Sequence, residues 1–108
     1  EADGLAMSSR NVYLDADQRA RSIAVNQVMY SSAGRLEAGE PIRPILAAAR
    51  DALLSAGFAS VDYVEARRAD TLAPFGSETA PIGVQGRLLI AARMGATRLI
   101  ENVGFVRR

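Results

Sequence analysis

The chain has 108 residues, a formal net charge of +1 and 49% hydrophobic content, the profile of one domain able to bury a core. Histidine, cysteine and lysine are absent, which excludes imidazole, thiolate and Schiff-base catalysis and argues against a transition-metal site. All 13 basic residues are arginines interspersed with acids, so there is no clustered nucleic-acid footprint, and any phosphate must be met by an arginine fork or neutral donors.

Residues 1–14 precede any periodic apolar pattern and read as a loop or short extended lead-in. Asp15 offers a helix start, and Gln18 three residues later completes a capping-box spacing. Asp15 and Asp17 suit the positive end of a helix dipole rather than a metal pair. Ala20, Ile23, Ala24, Val28, Ala33 and Leu36 then predict a helix over 16–37, with Gly34 as the place where it frays or breaks, and Gly39 ends it. Pro41 and Pro44 fit the first turn of a second helix. Ile42, Ile45, Leu46, Ala49, Leu53 and Ala56 form its apolar stripe, and Gly57 is placed to close it.

From Val61 the period changes, and Val61–Arg67 reads as a strand with one buried face, with Tyr63 in the core and Glu65 on the solvated side. Residues 70–86, with three glycines and two prolines, read as connection, holding one helical turn near Asp70–Leu72. Arg87–Arg93 is apolar enough for a central strand, Met94–Thr97 supplies a turn, and Arg98–Val103 returns as a hairpin partner. Arg87 and Arg93 are expected to pair with Glu65 or Asp62. The predicted fold class is α+β: a two-layer domain with two main helices on a small, three-stranded, mostly antiparallel sheet. No apolar run approaches the roughly 20 residues of a membrane span, and the acidic opening is unlike a signal peptide. A cytoplasmic location is expected.

Chemistry concentrates in the opening segment, where Gly4, Met7, Ser8, Ser9, Arg10 and Asn11 lie close together. Serine hydroxyls and an arginine fork can follow the oxygens of a polyphosphate as its charge redistributes. Gly4 gives the backbone freedom, and Met7 can pack on a purine or an apolar wall. The same residue types also suit a turn with capping hydroxyls, so residue types alone leave both readings open.

Residue order adds more. Asp3-Gly-Leu-Ala-Met-Ser-Ser-Arg-Asn11 resembles the signature of the pantothenate synthetase family, a relative of the K-M-S-K-S loop of class I aminoacyl-tRNA synthetases. Ala6 stands where that loop has its first lysine and Arg10 near the place of its second charge, departures that match the pantothenate synthetase form. Val61-Asp-Tyr-Val-Glu65, Gly86–Arg93 and Thr97–Asn102 resemble the same family's C-terminal domain, in the same order.

The resemblance implies an ATP-dependent ligase that joins pantoate and β-alanine through a pantoyl-adenylate, releasing AMP and pyrophosphate. It makes 1–14 the nucleotide-binding loop and hinge side and 15–108 the C-terminal lid domain. The family's N-terminal Rossmann-like domain and its His-x-Gly-His motif are absent from this sequence. Met7, Ser8, Ser9 and Arg10 are then ATP contacts, with Ser8, Ser9 and Arg10 catalytic. Mg2+ is held mainly by the nucleotide and the missing domain, which also binds pantoate and β-alanine. A homodimeric full-length enzyme and an inactive fragment are expected; the alternative is a stand-alone, non-catalytic interaction or dimerisation module.

Overall fold

The computed structural model describes residues 16–108, arranged as α1 (Ala16–Glu37), α2 (Ile42–Ser55), β1 (Ser60–Arg68), β2 (Gln85–Met94) and β3 (Thr97–Val106). The strands form one antiparallel sheet in the order β1-β2-β3, with α1 against β3 and α2 against β1 on a single face. This is the expected two-layer α+β fold.

Both helices stop for the same local reason. Gly57 (φ 102°) follows α2, donating to Leu54 O at 3.1 Å, while Phe58 N–H reaches Leu53 O at 3.3 Å. Gly39 (φ 85°) follows α1 with the same pair of bonds, to Leu36 O at 3.1 Å and from Glu40 to Arg35 O at 3.2 Å. These are Schellman closures, which need a left-handed residue just past the helix. After α2 the flanking residues Phe58 and Leu53 are both buried in the core; after α1 the flanking residues form an ion pair, Arg35 Nε to Glu40 Oε1 at 3.0 Å.

The α2 stripe holds: Ile42, Ile45, Ala49 and Leu53 are buried, and Leu46 and Ala56 pack at the margin. On α1 the predicted face holds at Ala33 and Leu36, with Val28 at the margin, and is rotated in the earlier turns. Val25, Met29, Ala33 and Leu36 enter the core with Ser22 and Ser32 beside them, while Ala20 is exposed and Ile23 and Ala24 are half-buried. Apolar residues on several sides of this helix left its phase ambiguous, and two serines on the buried side hid the true one. The helix also runs through Gly34 unbroken, because Ala33 and Leu36 fasten that turn to the core.

Strand β1 departs from strict alternation at one place. Val61 pairs with Ala92 and Tyr63 with Ala91, so Asp62 is an extra residue in the ladder. This bulge turns Val61 and Val64 both inward. Tyr63 therefore lies half-buried on the opposite face, not in the core. Gly86, expected in the connection, belongs to β2: a Cβ there would sit 2.3 Å from the Phe105 ring, so only glycine lets that ring close the core. The 70–72 turn is no helix; Leu72 donates to Arg68 O at 2.9 Å and takes a left-handed φ of 59°.

Candidate functional site

Gly4, Met7, Ser8, Ser9, Arg10 and Asn11 lie outside the described residues, as does the Asp15 cap. What the fold settles is where the segment carrying them is attached. A 22-residue helix is roughly 33 Å long, and a ten-residue strand is about as long. Both must follow the 41 Å long axis of a body only 24 × 21 Å across. Glu37, at the end of α1, accepts the Val106 N–H at 2.9 Å, at the end of β3. The start of α1 therefore shares the opposite end with the β2–β3 turn at Gly95 and Ala96, where Gly95 adopts φ 58°.

That end carries a charge cluster. The bulged Asp62 accepts from Arg98 Nε at 2.8 Å and lies 3.4 Å from Arg93 Nε, two arginines opposed across β2 and β3. The Arg93 pairing was expected; the Arg98 partnership was not, because it depends on the register that sets Arg98 opposite Arg93. Arg87 corrects its expectation, since among the described residues it pairs with no carboxylate and donates to Asn102 Oδ1 at 3.3 Å. Glu65 is already taken by Arg67, two positions along the same face of β1, at 2.8 Å. That contact holds the Glu65 carboxyl below its ordinary range, so it is a settled ion-pair partner rather than a poised acid. Arg68 does the same to Asp70. Glu101 moves the other way, pushed up by partial burial on the helix side of β3.

Sequence reading missed a groove of about 810 Å³ at the other end of the body, formed by Pro41, Pro44, Leu46, Ala66 and Phe75 with Arg43 and Glu78 among its charged residues. Its walls come from three stretches far apart in the chain, and no local signal announces it. Among the described residues no group of three or more acids could hold a metal ion, and no helix is long and apolar enough to cross a membrane. The described body thus offers a rigid scaffold and arginine-rich surfaces.

Known proteins agree on one family. The family model described as pantoate-beta-alanine ligase matches residues 1–104. A pantothenate synthetase of Chelativorans sp. is 47% identical over 103 residues, which is 95% of this chain and 35% of that protein. One from Nitrobacter hamburgensis is 49% identical over 105 residues, 96% of this chain and again 35% of the relative. A crystal structure of pantothenate synthetase from Thermus thermophilus superimposes with a TM-score of 0.76 at 30% identity, covering 95% of this chain and 36% of that one. The chain thus spans about a third of the length of the relatives it matches.

Proposed function

Because the chain belongs to the pantoate-beta-alanine ligase family, we propose that it is the C-terminal lid domain of a pantothenate synthetase. The observation that carries this reading is that the family match begins at residue 1 and so includes Met7–Arg10. The reaction is ATP-dependent: the pantoate carboxylate attacks the α-phosphorus, pyrophosphate leaves, and the β-alanine amine then displaces AMP from the pantoyl-adenylate. Ser8 and Ser9 donate hydrogen bonds to the triphosphate, Arg10 adds a bidentate charged contact, and Met7 lies toward the adenosine. Donors that tighten as the leaving pyrophosphate gains charge lower the barrier instead of merely strengthening binding.

Mg2+ is held mainly by the nucleotide and by the part of the enzyme outside this chain. Pantoate and β-alanine bind on the part of the enzyme outside this chain, so the chain alone is inactive. The enzyme works in the cytoplasm as a homodimer and feeds coenzyme A synthesis. Arg10→Ala in the full-length enzyme is expected to slow adenylate formation by on the order of 10²–10³. Unchanged pantoate-dependent pyrophosphate release in that variant would remove Arg10 from the mechanism.

A further inference from the structure

The helices cover one face of the sheet, and the register defines the other. Across the three strands, Tyr63, Ala91 and Ile100 form one row of this outer face, and Leu89 continues the apolar band in the next. Ala91 is fully buried yet lies outside the helix-side core, shielded within that row. Ile100, at its edge, is 56% exposed.

Arginines frame the band at both ends. Arg93 and Arg98 lie toward the hairpin turn; Arg67 and Arg87, directly opposed, lie at the far side. Among the described residues, two carboxylates answer these four cations: Asp62, shared by Arg93 and Arg98, and Glu65, held by Arg67. Arg87 rests over Gly104, and its acceptor among the described residues is the Asn102 amide oxygen. A half-buried tyrosine, an exposed isoleucine and a ring of arginines match the residue types enriched in protein-binding surfaces.

The excess positive charge argues against a second copy of the same face, because two such faces would repel. It fits an acidic surface with an apolar centre. The relatives are about three times as long as this chain, so the same enzyme has a further body large enough to supply one. We propose that this outer face is where the domain seats on the remaining two thirds of the ligase, through an acidic counter-surface. The inference rests on the ligase reading and adds to it the surface, its anchors Tyr63 and Ile100, and the charge of its partner.

Hydroxyl-radical footprinting of the isolated chain and of the full-length enzyme, with and without ATP and pantoate, tests this. Tyr63, Leu89 and Ile100 should lose most of their labelling in the full-length enzyme. Tyr30, Leu72 and Ile82, which are exposed elsewhere, should not. Ile100→Glu and Arg87→Glu in the full-length enzyme should return Tyr63 to the labelling of the isolated chain, and raising the salt should do so in part. An active enzyme whose outer face labels as in the isolated chain would overturn the surface and leave the ligase reading standing. A protected face without pantoate-dependent pyrophosphate release would overturn the ligase reading and leave the surface. Protection that grows with concentration of the isolated chain would assign the face to a second copy, and so overturn the proposal.

Discussion

The two faces of the sheet use the same three strands for different work. The helix side presents Val61, Val64, Ala66, Leu88, Ile90, Ala92 and Met94, all buried beneath α1 and α2. The outer side presents four arginines, two carboxylates and a narrow apolar band. Apolar burial contributes roughly 25 cal/mol per Å² removed from water, whereas an exposed ion pair contributes about 0–1 kcal/mol. The helix side therefore carries the stability. The outer side is free to vary without unfolding the domain, which makes its arginine-rich composition informative about contacts the domain makes.

Substitutions can break this contrast or sharpen it. Leu88→Ala on the helix side should cost about 2–5 kcal/mol, read as a lower Tm and urea midpoint. A loss as small as that of Ile100→Glu, expected within about 0.5 kcal/mol, would erase the distinction between the faces. Gly86→Ala should cost about 1–3 kcal/mol, because its methyl meets the Phe105 ring and either the ring or the strand must shift. Near-neutral Tm would mean the ring has another rotamer available. Asp62→Asn releases both Arg93 and Arg98 and should cost less than about 1 kcal/mol in low salt and less still at high salt.

Glu101 gives the smallest effect, and its sign is fixed by burial. Its folded carboxyl titrates above the ordinary value, so stability is complete below the unfolded pKa and falls as pH rises through the folded one. Glu101→Gln should therefore raise stability slightly at pH 7, by a few tenths of a kcal/mol at most, and have no such effect near pH 4, read as Tm at the two pH values. A larger gain at the acid end would reverse the assignment.

Much of the fold was legible because each element advertised its own ends. The α2 stripe, the glycines at 39 and 57, and the Met94–Thr97 turn placed the helices and the hairpin correctly. What failed needed a second stretch of chain to decide it. The phase of α1 depends on which of several apolar sides meets β3. Gly86 is a strand residue only because Phe105, nineteen positions on, covers it. Tyr63 looked like core until the Asp62 bulge reversed its side, although the adjacent Tyr63 and Val64 already broke the alternation. The groove and the outer face, assembled from distant strands and loops, were invisible. The candidate site is proposed from residue order in Met7–Arg10 through resemblance and lies outside the described residues, while the described body contributes the helix to which that segment is joined.

The most direct test measures pantoate-dependent pyrophosphate release from ATP by this chain alone and by the full-length protein that carries it. Release by the full-length protein only, with none from the chain, is the predicted result. Release by the chain alone, or silence from a folded full-length protein, would contradict the assignment of this domain as the lid of a pantoate-activating ligase.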